Sequence, residues 1–206
     1  MNNIDLSLYL VTDNSEDEKK FLKTIEEAIN GGVSVVQIRE KTADTLEFYN
    51  LALKVKEITT KYNVPLIIND RVDVALAIDA DGVHVGQSDM PCDVTRKLIG
   101  ENKILGVSAA TIDEAKKAEK DGADYIGTGA VFPTSTKDDA PNITKKDLKD
   151  IVDSINIPVV AIGGITIENA NELKNTGISG LSVVSAIMSA DNPKKASEKL
   201  LNIFNS

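Results

Sequence analysis

Leu6-Ser7-Leu8-Tyr9-Leu10-Val11-Thr12-Asp13-Asn14-Ser15 is the stretch whose reading decides the fold. An apolar run of strand length ends in a polar turn, and a segment of helical spacing follows over 16–30. The same alternation then repeats. Short β-branched runs at 6–12, 33–39, 65–68, 82–85, 104–107, 125–127, 158–162 and 181–184 read as strands. The segments 16–30, 46–62, 72–78, 93–99, 112–121, 145–155, 167–176 and 193–204 read as helices. Strands alternating with helices imply a parallel sheet, either open and doubly wound or closed into a barrel. An open sheet normally places a glycine fingerprint at its first βα turn. Thr12-Asp13-Asn14-Ser15 has no glycine, and eight units follow one another without a long linker. The expected fold is α/β, a small single-domain (β/α)8 TIM barrel over residues 1–206.

Three joints support this order. Asn30-Gly31-Gly32, Asp121-Gly122 and Thr176-Gly177 place glycine just past a last helical turn, and a strand begins within a few residues. They form a weak internal repeat. A length of 206 residues suits one domain with a substantial core. The net charge of -9 and the 4% aromatic content argue against nucleic acid, which wants a basic stripe and stacking platforms. No apolar stretch is long enough to cross a bilayer, and Met1-Asn2-Asn3-Ile4-Asp5 lacks the features of a signal peptide, so no membrane partner is expected. The lone cysteine, Cys92, excludes an internal disulfide and fits a reducing cytoplasm. Oligomeric state is not legible.

In such a barrel the chemistry collects where the strands end, in the βα loops. Gln37, Arg39 and Lys41 share one face at the end of the second strand. An amide, a guanidinium and an ammonium on one rim suit a multiply charged oxyanion such as a diphosphate. The plainer alternative is a solvated strand end paired with Glu40 and Asp44. Asp70, after Asn69, and Asp89, after Gly86-Gln87-Ser88, could share an octahedral Mg²⁺, or each could cap the helix that follows it. Caps are common and metal pairs rare, so spacing alone favours capping. Thr134-Ser135-Thr136-Lys137 could wrap a phosphate, and Gly163-Gly164 and Ser185 follow strands seven and eight, where barrels often bind one. The sole histidine, His84, lies within a strand and reads as a packed or rim residue. Cys92 stands at a helix start, which could lower its pKa, but it reads as structural.

These motifs together resemble the thiamine phosphate synthase family. The resemblance runs from Tyr9-Leu10-Val11-Thr12-Asp13 to Gly180-Leu181-Ser182-Val183-Val184-Ser185. Its specific elements are Gln37-Ile38-Arg39-Glu40-Lys41, Ile68-Asn69-Asp70-Arg71, Gly82-Val83-His84-Val85-Gly86-Gln87, Phe132-Pro133-Thr134-Ser135-Thr136-Lys137 and Gly163-Gly164-Ile165. It implies that Gln37, Arg39, Lys41, Asn69 and Lys137 hold hydroxymethylpyrimidine diphosphate, and that Ser108 contacts the pyrimidine. It implies that Asp70 and Asp89 carry Mg²⁺ against that diphosphate. Thr134, Ser135, Thr136, Gly164, Val184 and Ser185 would hold the thiazole phosphate. Arg39, Lys41, Lys137 and Ser108 would be the catalytic set, and diphosphate would leave before the thiazole nitrogen attacks. Two departures stand out: Ala109-Ala110 after the serine of strand five, and Pro141-Asn142-Ile143-Thr144 after the lysine loop. The related thiazole tautomerase is the nearest rival, but it relies on a histidine where Ala109 and Ala110 stand, and does not retain both metal carboxylates. A non-catalytic phosphate-binding barrel is the third reading. It would need the Gly163-Gly164 and Ser185 sites but not Asp70, Asp89, Arg39 and Lys137 together.

Overall fold

The computed structural model describes residues 4–13, 17–134 and 142–206. Strands β1 (Leu8–Val11), β2 (Val35–Ile38), β3 (Leu66–Asn69), β4 (Gly82–Val85), β5 (Ile104–Ser108), β6 (Tyr125–Thr128), β7 (Val159–Ile162) and β8 (Gly180–Val183) close into one barrel in chain order. Every pairing is parallel, and Tyr9 opposite Ser182 closes the ring. Helices α1 (Glu18–Asn30), α2 (Thr45–Tyr62), α3 (Val72–Ala77), α4 (Cys92–Ile99), α5 (Ile112–Lys120), α6 (Lys145–Ser154), α7 (Ser185–Met188) and α8 (Pro193–Asn205) lie outside it. Among the described residues, no helix is long and apolar enough to cross a membrane.

Two apolar layers follow from strand alternation. Leu8, Leu10, Val36, Ile38, Ile68, Val83, Leu105 and Ile126 face the helices. Their neighbours Tyr9, Val11, Val35, Ile67, Ile104, Tyr125 and Val160 fill the interior. With both faces buried, the strands read as nearly continuous apolar runs. One interior level departs from this. Register sets His84 beside Gly106, and Gly106 beside Tyr125, so a glycine separates two large polar side chains.

Helix starts follow local chemistry. Asp44 with Glu47, Thr111 with Glu114 and Thr144 with Asp147 form reciprocal capping boxes. Asn192 caps α8 ahead of Pro193 at its first turn. The helix expected over 167–176 is absent. Only a 3₁₀ turn, Ala170–Leu173, forms there. Asn169 explains much of this, because its side chain accepts from the Thr166 amide and donates to the Gly164 carbonyl, each at 2.8 Å. Short amides that bond the nearby backbone compete with a helical ladder. The α7 turn after β8 is an element that periodicity did not suggest.

Arg96 ties the α4–β5–β6 side of the barrel together. Its guanidinium donates to the carbonyls of Gly100, Lys103 and Gly122 and to Asp124 Oδ2 at 2.6–3.0 Å. The same carboxylate oxygen accepts the Leu105 amide at 2.8 Å. Arg96→Ala should therefore cost about 2–4 kcal/mol in a denaturant melt, because it strips a charged donor from three carbonyls and from the partly exposed Asp124. A loss below about 1 kcal/mol, typical of exposed pairs, would contradict this.

Candidate active site

Asp70 and Asp89 arrive at the same point from adjacent loops. Asp70 follows β3, with its amide donating to the His84 carbonyl at 2.8 Å. Its backbone is left-handed, at φ 61°, a conformation that costs a non-glycine residue about 1–2 kcal/mol but that Asp tolerates. Asp89 follows β4 and accepts the Gly86 amide on Oδ2 at 2.8 Å. Neither carboxylate caps a helix: Arg71 and Pro91 hold the cap positions of α3 and α4, without side-chain bonds. The capping reading of both residues is thus corrected. The two side chains meet each other instead. Burial raises the Asp70 pKa, the Lys41 ammonium that donates to it pulls it down, and Asp89 beside it pushes it up, with a net rise.

That geometry bears on what could sit there. Two carboxylates in contact repel when both are ionised, and a cation between them removes the penalty. An all-oxygen donor set suits a hard cation such as Mg²⁺, which keeps several positions for water and phosphate oxygens. Among the described residues no group of three or more Asp, Glu, His or Cys side chains is arranged to hold a metal ion. The Asp70–Asp89 contact thus offers a two-carboxylate platform.

The remaining rim residues take different positions. Lys41 pairs with Asp70, whereas Glu40 turns back to accept from Thr42 and Ala43, and Asp44 caps α2. The solvated alternative, in which Glu40 and Asp44 neutralise the cations, is not what forms. Arg39 lines a cavity of about 170 Å³ with Thr12, Asp13, Glu18, Glu40 and Glu47, between the β1 and β2 loops. Asn69 is buried at the end of β3 beside the mouth. Gln37 lies deeper than a rim residue, 4% exposed, and donates to the Tyr9 hydroxyl at 2.7 Å.

Gln37 begins a polar chain through the barrel. Tyr9 and Tyr125 hydroxyls are 2.6 Å apart, Tyr125 lies 2.9 Å from His84 Nδ1, and His84 Nε2 lies 2.9 Å from Ser108 Oγ. Gln87 donates to the Ser108 carbonyl at 2.7 Å. His84 is buried as expected, but it joins Tyr125 to a predicted site residue. Sequence reasoning gave no role to Tyr9, Tyr125 or Gln87. The readable signal was Gly-x-His, Gly-x-Ser and Tyr-x-Gly on three successive strands, where small residues leave room for large ones.

Across the mouth, the β7 loop packs on the β6 loop. Gly163 and Gly164 adopt φ 98° and 64°. A side chain on Gly164 would come within 2.5 Å of the Pro133 carbonyl oxygen. Thr134 lies at the end of this contact and Ser185 is exposed at the start of α7, after Val184. Ser135, Thr136 and Lys137 fall outside the described residues. Cys92 behaves oppositely to the helix-start expectation: burial pushes its thiol up to about 11, and it stays structural.

The family model described as thiamine monophosphate synthase matches residues 8–187. A thiamine-phosphate synthase of Methanobrevibacter smithii is 74% identical over 204 residues, covering 99% of this chain and 98% of the relative. One from Alkaliphilus oremlandii is 58% identical, covering 96% and 95%. The solved thiamine phosphate pyrophosphorylase from Pyrococcus furiosus superimposes with a TM-score of 0.88 at 42% identity, covering 98% and 96%. Fold, strand-end chemistry and near-full-length similarity agree: the chain belongs to the thiamine monophosphate synthase family, a transferase that acts on small molecules and makes thiamine phosphate.

Proposed function

We propose that this chain, as one barrel domain in the cytoplasm, couples hydroxymethylpyrimidine diphosphate to a thiazole phosphate by a dissociative displacement. The observation that carries the reading is the Asp70–Asp89 contact beside Lys41. A platform of this kind suits a leaving group of high negative charge. Bound there by Asp70 and Asp89, Mg²⁺ would supply charge neutralisation for the diphosphate oxygens.

The chain's own groups carry the rest. Arg39, Lys41 and Lys137 bind the diphosphate, with Gln37 and Asn69 holding its pyrimidine end and Ser108 contacting the ring. The methylene C–O bond breaks and its electron pair leaves with diphosphate. The resulting pyrimidine-methyl cation takes the lone pair of the thiazole nitrogen, forming the C–N bond. That nitrogen carries no hydrogen, so no proton is removed and no general base is needed. Thr134, Ser135, Thr136, Gly164, Val184 and Ser185 hold the thiazole phosphate close enough to attack. The tautomerase alternative would need a proton-transferring group near Ala109-Ala110, where the side chains are methyls.

Calorimetric titration with inorganic diphosphate tests the binding half. Diphosphate should bind in Mg²⁺ and not in chelator, and Arg39→Ala should weaken it by about 1.5–3 kcal/mol, the worth of a hydrogen bond to a charged group. Equal binding in chelator would remove the metal role. Lys137→Ala should lower turnover about 100-fold or more with little change in melting temperature, measured on one preparation. A lower melting temperature with unchanged turnover would make Lys137 structural.

A further inference from the structure

The Gln37–Tyr9–Tyr125–His84–Ser108 chain has a direction. Gln37 presents its amide nitrogen to Tyr9, at 2.7 Å, so the Tyr9 oxygen accepts at that contact. The Tyr9 proton is then left for Tyr125, 2.6 Å away. Tyr125 accepts from Tyr9 and turns its own proton to His84 Nδ1 at 2.9 Å. A ring nitrogen that accepts is unprotonated, so the neutral imidazole carries its hydrogen on Nε2. Nε2 faces Ser108 Oγ at 2.9 Å and donates to it. The Ser108 hydrogen is thereby left for an acceptor at the mouth.

We propose that Gln37, Tyr9 and Tyr125 are positioning residues that lock His84 as its Nε2–H tautomer and so present the Ser108 hydroxyl as a donor. The subsite then selects a ligand with an acceptor atom there, such as an unprotonated aromatic ring nitrogen, over one presenting N–H. This rests on the reading that Ser108 faces the pyrimidine.

Several observations mark the chain as built for this. Gln37, Tyr9, Tyr125 and His84 are each 8% exposed or less. Burial pushes both phenols upward, so they keep their protons. A methyl on Gly106 would lie 2.1 Å from Tyr125 Cζ and 2.5 Å from His84 Nδ1, and one on Gly127 would lie 3.1 Å from His84 Cε1. Two glycines thus clear the space where the ring meets the phenol and the serine. Buried polar groups are usually satisfied somehow. Satisfaction alone would allow either direction, because phenols can donate either way; the Gln37 amide breaks that symmetry.

His84 is the sole histidine, so ¹⁵N-histidine labelling of the untagged protein gives one imidazole spectrum. At mildly alkaline pH, without substrate, Nε2 should show the protonated and Nδ1 the unprotonated shift. Gln37→Glu, a carboxylate that only accepts, should reverse every link and move the proton to Nδ1. Tyr125→Phe should leave a mixture of tautomers. A wild-type protein already on Nδ1, or a mixture in it, would overturn the proposal. So would a Gln37→Glu protein with an unchanged spectrum. Ser108→Ala should keep the tautomer and weaken pyrimidine diphosphate binding up to about tenfold, the scale of one neutral hydrogen bond. Unchanged binding would remove Ser108 as the donor. The labelling result needs no turnover, so it stands apart from whether the coupling reaction itself is observed.

Discussion

Asp89→Ala should lower turnover by about 10³-fold or more while thiazole phosphate still binds. Stabilising charge on a leaving group through a metal is worth several kcal/mol, and each 1.36 kcal/mol is about tenfold in rate. The structural cost is small by comparison. The Asp89 side chain accepts the Gly86 amide at 2.8 Å, a bond worth about 1 kcal/mol net. Asp89 is half-buried at a loop and anchors no helix, since Pro91 holds the cap position. Activity and stability should thus separate in this variant. Single-turnover assays with a melt on the same sample check it, and near-normal activity in Mg²⁺ would show that the assignment is wrong.

Asp70→Asn should separate the same two quantities in opposite directions, losing turnover while gaining stability in chelator. The folded pKa of Asp70 lies above its ordinary value of 3.8, because burial and Asp89 outweigh Lys41. A raised carboxylate pKa means that the ionised form is disfavoured in the fold. The penalty is complete above the folded pKa, shrinks as pH falls through it, and is gone below the unfolded value. Near neutral pH an amide at 70 carries no such penalty, and its NH₂ can donate to Asp89. Lys41 loses a partner, but its side chain is 49% exposed and the pair is worth little. The variant should melt higher than wild type in chelator, by about 2–4 °C per kcal/mol for a chain of this size. The gap should shrink as pH falls through the folded pKa and close below about 3.9, where Asp70 is protonated folded and unfolded alike. Mg²⁺ should reverse the order by stabilising wild type alone, by about 2.7 kcal/mol at one hundred times its dissociation constant. A variant that melts lower than wild type in chelator would contradict the raised pKa.

What could be read in the sequence divides along physical lines. Every strand was legible, because a strand buried on both faces writes its own apolar run. Most helices were legible through helical spacing and glycine stops such as Asn30-Gly31 and Asp121-Gly122, whereas the capping boxes of Asp44, Thr111 and Thr144 came from the structure. The helix after β7 was not, because Asn169 diverts the backbone through side-chain bonds that periodicity does not register. At the site, alternation gave the direction of Gln37 but not its depth, so a buried interior donor read as a rim residue. Asp70 and Asp89 show a different limit. Both precede helices, as caps do, and only the meeting of two loops distinguishes a carboxylate pair from two independent caps. The Tyr9–Tyr125–His84 contacts join residues up to 116 apart and depend on the closing of the barrel.

The most direct measurement mixes purified protein with hydroxymethylpyrimidine diphosphate, thiazole phosphate and Mg²⁺, with and without chelator, and follows products by chromatography. The account predicts thiamine phosphate and diphosphate in equal amounts, both abolished by chelator and restored by excess Mg²⁺. Undiminished products in chelator, or no products from protein that binds both substrates, would contradict it.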